Sequence, residues 1–394
     1  MKICFITSQD GASGTALRWG QLARGLAARG NQVTVFSQSS QPGWRYRSVT
    51  EMREGVEYRI TPSFPGNGYI DYSINPLNLA RYRLRTLPEA DVYHLFQPFA
   101  NAALTWLSAR RSRPDALHIW DWDDLWAGGL IRNRSLLFHV MNRMEHLLPR
   151  CADAITTCSE YLKSLALNRG APAGKVIWNG FSKAAQLDKK LLRDKYALPH
   201  DKILILFMGW TPTETEWIYR GYSEAKAAGL PVALVWIGIP PQRVPGFDPT
   251  YETHYLGQLP QAEALRAAQA CDIGLLPLAD TPFNQSRMPM KFADYLALGL
   301  KVCASAVGEL STISKLMPER VALSFPAETD WKTSLQSMVR AQMGDSEKQS
   351  AVELPSALGW NSICRDLEEF YLEKIRQRAH RSVGHQVDKC PDLV

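Results

Sequence analysis

The sequence predicts two doubly wound α/β domains, and three observations carry that reading. The chain has 394 residues, more than one core of common size fills, so two domains of roughly 180 residues each are expected. Short apolar runs with no room for a helix alternate with stretches of helical period, as buried parallel strands and their crossover helices do. Polar or glycine-bearing loops follow several of those runs, and the loops at the carboxyl ends of strands are where open parallel sheets bind ligands.

The clearest unit runs from Cys271 to Glu309. Ile273 to Leu278 reads as a strand, Asp280 to Met288 as a loop, Pro289 as the first helical position, Gly299 as the helix stop and Lys301 to Ser305 as the next strand. Arg287 and Lys291 bring two cations to the mouth of this βαβ unit. The helix N-terminus adds backbone N–H donors and a positive dipole end, which together suit a diphosphate. Lys291 and Asp294, three apart, share a helix face. One can meet a phosphate and the other a sugar hydroxyl. An ordinary solvated helix face accounts for the same charges, but the loop position after a strand end favours a ligand.

From the N-terminus, Lys2 to Thr7 is a buried strand, followed by a loop, a helix closed by Gly30 and a second strand. The loop holds Gly11 and Gly14 but no G-x-G-x-x-G, which weighs against a dinucleotide-dependent dehydrogenase. Ser13 and Gly14 fit either close backbone approach by a ligand or a plain tight turn. Residues 41 to 75 read as an irregular region with one strand, Val56 to Thr61. Ala90 to Pro98 is a strand whose polar end carries Gln97, and Asn101 to Arg111 a helix. Ala116 to Trp126 then places Asp121 and Asp123 in a D-x-D pair among Trp120, Trp122 and Trp126. Carboxylates at that spacing can hold Mn²⁺ or Mg²⁺ against a diphosphate, or can meet sugar hydroxyls. The tryptophans are stacking faces for a sugar or core residues.

Leu136 to Pro149 is amphipathic and is expected to pack on the sheet. Cys151 to Gly170 gives a strand, a Ser159 cap and a helix, and Asn179-Gly180 marks the approach to an interdomain linker. The second domain opens with Lys202 to Trp210, where Gly209 stands at the strand end. Pro231 to Gly238 and Thr253 to Pro260 follow as strands, and Trp360 to Arg376 is a terminal amphipathic helix.

The 7 cysteines are odd in number and form no C-x-x-C pair, so they read as reduced core thiols of a cytosolic protein. No run approaches about 18 apolar residues and no signal peptide opens the chain, so it is expected to be neither secreted nor membrane-spanning. The net charge of +6 is modest, and no nucleic-acid partner is expected. Arginines nevertheless cluster at Arg81, Arg83 and Arg85, at Arg110, Arg111 and Arg113, and at Arg132, Arg134 and Arg143. Such a half could favour an anionic membrane surface or an acidic acceptor, or be ordinary surface.

The run P-L, D-T-P-F-N, R-x-P-x-K-F-x-D-Y-x-A-x-G, a strand and V-G-E resembles the donor-site segment of family 4 glycosyltransferases, and the first βαβ unit is similar to the start of that family's N-terminal domain. The resemblance implies a GT-B fold: two Rossmann-like domains facing across a cleft, an acceptor-binding domain over 1–180 and a nucleotide-sugar-binding domain over 181–365. A terminal helix over 366–378 would cross back to the first domain, and 379–394 would be a disordered tail. It implies a retaining hexosyltransferase of polysaccharide biosynthesis. Such an enzyme moves a sugar from a nucleotide-sugar substrate to a hydroxyl of a glycan, a lipid-linked sugar or a small metabolite. No cofactor or metal is expected; from the cysteines and the arginine clusters the expected setting is the cytoplasm, with peripheral association at the inner face of the membrane.

Residue by residue, the two glutamates of the family fall at Ser286 and Asp294, which marks this chain as a divergent member. The carry-over gives Ser13, Gly14, Gly209, Leu256, Leu259, Phe283, Ser286, Arg287, Lys291 and Asp294 to the donor, with Leu256 to Leu259 at the nucleobase. Gln97, Trp122 and Trp126 go to the acceptor. Asp121, Asp123, Arg287 and Lys291 are expected to act in catalysis. D-x-D is the metal signature of glycosyltransferases of the other major fold, yet the second half here has its own cationic phosphate site, so the acids are assigned to acceptor or sugar hydroxyls. A nucleotide-sugar epimerase or hydrolase, or a non-catalytic binder lacking the acid at 286, would use the same fold.

Overall fold

A computed structural model describes residues 1–10, 14–40, 48–64, 72–83, 87–181, 185–209, 215–324, 328–344 and 355–382. The chain divides into two units, Met1–Asn179 with Trp360 onward, and Gly180–Gly359.

The first unit contains β1 (Lys2–Ile6), α1 (Gly14–Ala28), β2 (Gln32–Gln38), β3 (Val49–Arg53), β4 (Val56–Thr61), α2 (Pro76–Arg83), β5 (Val92–Phe96), α3 (Ala100–Ser112), β6 (Leu117–Trp122), α4 (Leu136–Cys151), β7 (Ala154–Thr157), α5 (Glu160–Asn168) and β8 (Gly174–Val176). Its sheet has the order β3-β4-β2-β1-β5-β6-β7-β8. The ladders are parallel apart from the β3–β4 pair. β3 lies in the stretch read as irregular: its burial is mostly exposed, so no apolar run announces it, and it is held as an edge strand by pairing with β4. Sequence order reverses between β1 and β5, which opens a crevice at their carboxyl ends.

The second unit contains α6 (Lys189–Lys195), β9 (Ile203–Gly209), α7 (Thr215–Ala227), β10 (Val232–Gly238), β11 (Thr253–Tyr255), α8 (Gln261–Gln269), β12 (Ile273–Leu276), α9 (Pro282–Ser286), α10 (Met290–Ala297), β13 (Lys301–Ser305), α11 (Leu310–Ile313), β14 (Val321–Ser324) and α12 (Glu328–Gly344). The all-parallel order β11-β10-β9-β12-β13-β14 is the doubly wound pattern, with its switch point between β9 and β12. Fully buried Trp236 stacks on Tyr219 at 5.5 Å in the core of this unit.

α13 (Trp360–Ser382) returns to the first unit. It starts at Trp360, where the sequence places the helical stretch, ahead of the 366 set for the crossing segment, and continues through residues 379–382, which the sequence reading gave to a tail; residues 383–394 lie outside the described set. The return is close-packed. A Cβ on Gly25 of α1 would stand 2.2 Å from the Cys364 sulfur, so glycine is what lets the helices meet. Tyr371 inserts its hydroxyl against His94 Nδ1 of β5 at 2.5 Å.

Candidate active site

The donor-side residues gather at the carboxyl edge of the second sheet, at its switch point. Gly209 ends β9 and Gly238 ends β10. Gly238 has φ +108, and a Cβ there would stand 2.1 Å from the Gly209 carbonyl oxygen. Any side chain at 238 would therefore break the strand ends apart. Leu256 donates its N–H to the Trp236 carbonyl at 2.9 Å. That bond ties the loop after β11 to the same edge, and Leu256 and Leu259 are both half-buried there.

The loop expected over 280–288 contains the short helix α9. Pro282 and the Thr281 side chain, which accepts the Asn284 N–H, start it, while Asn284 Nδ2 donates to the Ala279 carbonyl at 2.8 Å. Gly308 backs this turn, where a Cβ would come 2.9 Å from the Gln285 carbonyl oxygen. Pro289 is the N-cap of α10, one position before the helix. Gly299 stops α10 at φ +84, as the sequence indicates.

Within this frame Arg287 stacks its guanidinium on the Phe283 ring at 4.5 Å. Lys291, in the first turn of α10, lies against Gly209, where a Cβ would stand 3.0 Å from its Nζ. Burial first, and then the neighbouring Arg287 cation, push the Lys291 pKa down to about 8. Burial lifts Asp294 to about 6 despite Lys291. Two cations crowded at a helix N-terminus repel one another, and an anion bound there would relieve that repulsion. Neither the Lys291 nor the Asp294 side chain makes a hydrogen bond or ion pair within the described residues.

Ser286 is a correction. Its side chain is fully buried and donates to the Phe283 carbonyl at 2.7 Å, so it closes its own turn and offers no ligand contact. Ser13 and residues 210–214 lie outside the described set; Gly14 opens α1.

In the first unit the acids separate. Both Asp121 oxygens are taken: Arg18 Nε and Nη2 each donate at 2.9 Å, and Thr156 Oγ1 donates at 2.6 Å. Burial opposes the charged form, but Arg18 holds the Asp121 pKa below the usual carboxylate range. Arg18 also donates to Asn179 Oδ1 at 3.0 Å, and His94 joins Thr156 at 3.1 Å. Asp121 is therefore the centre of a buried ion-pair network and not a ligand contact, because it is fully buried and its charge is matched by Arg18. The sequence carries no warning of this, since Arg18 lies far along the chain on α1.

Asp123 differs. Thr15 Oγ1 donates to its Oδ2, Oδ1 is buried without a hydrogen-bond partner, and the residue is 7% exposed. Burial, with Asp121 next, raises its pKa to about 6. With one oxygen unpartnered and proton affinity near neutrality, it can take up a proton. The D-x-D pair thus offers one unengaged carboxylate, Asp123, and not two.

Trp122 is a second correction. It is fully buried and stacked on Trp120 at 4.8 Å, so it is core and presents no face to a sugar. Trp126 is half-buried, edge-on to Phe99 at 4.8 Å. Gln97 sits at the end of β5 with φ +70 and is 8% exposed. A left-handed glutamine at the switch point is backbone strain of about 1–3 kcal/mol, the kind found at ligand sites.

Sequence reasoning missed Glu145. Fully buried on α4, it accepts the Trp126 N–H at 2.8 Å and so pins the loop that begins at Asp123. Burial raises its pKa to about 7. Arg169, stacked over Trp122 at 5.1 Å, approaches its Oε2 at 4.0 Å. Spacing gave a partial signal for Thr15 and Arg18, which lie three apart on one face of α1.

Residues 13–180 match the family model described as a glycosyl transferase 4-like domain. A putative teichuronic acid biosynthesis glycosyltransferase, TuaH of Bacillus subtilis (strain 168), is 22% identical over 268 residues, covering 64% of this chain. The match spans 66% of that relative's own length. Among solved structures, sucrose-phosphate synthase from Thermosynechococcus elongatus aligns with TM-score 0.65 at 16% identity over 95% of this chain and 99% of that one. The catalytic domain of starch synthase IV from Arabidopsis thaliana, bound to ADP and acarbose, aligns with 0.63 at 13% over 95% and 99%. WaaG, a glycosyltransferase involved in lipopolysaccharide biosynthesis, aligns with 0.56 at 12% over 98% and 100%. At these identities the structural likenesses show the fold, which is GT-B.

Proposed function

We propose that this chain, a family 4 glycosyltransferase with the GT-B fold, moves a sugar from a nucleotide-sugar donor to an acceptor hydroxyl with retention of anomeric configuration and without a metal ion. The observation that carries the donor assignment is the seat of Lys291: a lysine in the first turn of α10, against the glycine that ends β9, with Arg287 beside it. Fixed cations and a helix N-terminus at a sheet switch point neutralise a departing diphosphate, stabilising charge that develops as the glycosidic bond breaks. The half-buried Asp294, one turn along the same helix, takes a ribose hydroxyl. The loop at Leu256 and Leu259 borders the base.

The first unit takes the acceptor. Asp123, with its unpartnered oxygen and raised pKa, receives a hydrogen bond or proton from an acceptor or sugar hydroxyl. Gln97 and Trp126 border the same side. A carbohydrate or glycolipid acceptor is supported by the relatives named for teichuronic acid and lipopolysaccharide biosynthesis. Metal independence is supported by the engagement of both Asp121 oxygens, because displacing a buried guanidinium to seat a divalent ion is costly.

The test is donor turnover in EDTA. Release of nucleoside diphosphate with an acceptor panel, unchanged by chelation, supports the reading. Strict dependence on Mn²⁺ or Mg²⁺ that is abolished by Asp123→Ala overturns it. Tight donor binding without turnover on any acceptor would show a binding protein instead.

A further inference from the structure

The helix that pins the Asp123 loop from inside has a second face. On α4 the inward positions are Met141, Glu145 and Leu148, at helical spacing, all fully buried. The opposite stripe is Leu136, Arg143 and Arg150, all exposed, with exposed His139 and His146 between them. Just before the helix, Leu130, Arg132 and Arg134 are exposed as well. Leu130 is 48% and Leu136 60% exposed.

Charge on this surface is one-sided. From Ala127 to Arg150 the sequence holds a single acid, Glu145, and it is the residue turned fully inward. Arg132, Arg134, Arg143 and Arg150 make no ion pair within the described residues. Elsewhere on the first unit, Arg24, Arg53, Arg59, Arg110 and Arg113 each have an acidic partner.

We infer that this face, the outer stripe of α4 with the loop before it, is a docking surface for an anionic lipid bilayer. Unpaired arginines are drawn to anionic headgroups, and two protruding leucines supply apolar area that enters the acyl boundary. A soluble polyanion would use the arginines but gain nothing from exposed leucines. The inference rests on the acceptor reading above only for its purpose, since the same helix holds the acceptor loop through Glu145. No helix among the described residues is long and apolar enough to cross a membrane, so the attachment is peripheral.

Full-length protein is floated with vesicles of phosphatidylcholine alone and of phosphatidylcholine mixed with phosphatidylglycerol, without donor or acceptor. Binding is expected to the mixed vesicles only and to weaken with salt. Replacing Arg132, Arg134, Arg143 and Arg150 together by glutamine should weaken partitioning by roughly several hundredfold, from about fivefold per arginine. Leu130→Ser with Leu136→Ser should weaken it further, while Arg110→Gln with Arg113→Gln should leave it unchanged. Equal binding to neutral vesicles, retained binding in the quadruple variant, or arginine-dependent binding to single-stranded DNA with no effect of the leucine changes would each overturn the inference. Transfer to a water-soluble acceptor should persist in the quadruple variant, so failure of vesicle binding and failure of the transferase reading are told apart.

Discussion

Lys291 rests its ammonium group against Gly209, so close that a Cβ on Gly209 would stand 3.0 Å from Nζ. The glycine at the end of β9 and the lysine at the start of α10 thus form one seat, contributed by strands on either side of the switch point. Replacing Gly209 with valine fills the seat and displaces the amine, and should reduce nucleoside diphosphate affinity as much as Lys291→Met does. Arg287→Met with Lys291→Met should abolish binding in a thermal-shift titration, where stabilisation scales with affinity. Because the free lysine titrates near pH 8, wild-type affinity should fall as pH rises through that value. Lys291→Met should show no such fall. A pH-independent wild-type affinity would remove Lys291 from the anion site.

Asp294→Ala should weaken binding of the intact donor by about 1.5–3 kcal/mol, the worth of a hydrogen bond to a charged group. Its pKa of about 6 sets the window: the carboxylate contact forms above that pH and is lost below it. Isothermal titration of the wild type should therefore show weaker binding at pH 5 than at pH 7, and the variant should not. An unchanged dissociation constant would take Asp294 out of the donor site.

The two acids of the D-x-D pair should fail in different ways. Asp123→Asn should leave nucleoside diphosphate binding intact, lower turnover by about 10²–10⁴-fold as loss of a general base does, and remove an acidic limb near pH 6 from the rate profile. Asp121→Asn instead leaves Arg18 buried with its ion pair broken, at a cost of about 3–5 kcal/mol of stability. Denaturant titration separates them. Equal loss of stability in both variants would make Asp123 structural.

Legibility followed locality. The βαβ unit from 271 to 309 could be read because proline, glycine and the apolar period are local signals, and its errors were small: a turn of helix at Pro282–Ser286 and a one-residue shift at Pro289. Lys291, Asp294 and Gly209 converge on one sheet edge because parallel topology brings strand ends together. Asp121, Trp122 and Ser286 could not be sorted from their neighbours, because what decides their role is a partner distant in sequence or a turn geometry. Arg18 reaches Asp121 across 103 positions, and alternation along β6 says only that 121 and 123 share a face. β3 stayed hidden because an exposed edge strand has no apolar run.

Glu145 should set the pH dependence of stability in the first unit. Its carboxyl is raised by burial from the ordinary 4.5 to about 7, so the folded state binds its proton more tightly than the unfolded state does. Stability from this group is therefore fully present below about pH 4.5 and lost as pH rises through about 7. That difference corresponds to at most about 3.4 kcal/mol. Glu145→Gln keeps an oxygen to accept the Trp126 N–H and carries no charge to desolvate. It should therefore be more stable than the wild type at pH 8, by an amount bounded by that figure, and equal to it at pH 4.5. Glu145→Ala removes the acceptor and frees the loop after β6, so turnover should fall while nucleoside diphosphate binding holds. Urea titrations across this range check the sign: a wild type that gains on the glutamine variant as pH rises would mean that Arg169, 4.0 Å away, outweighs burial and holds Glu145 ionised.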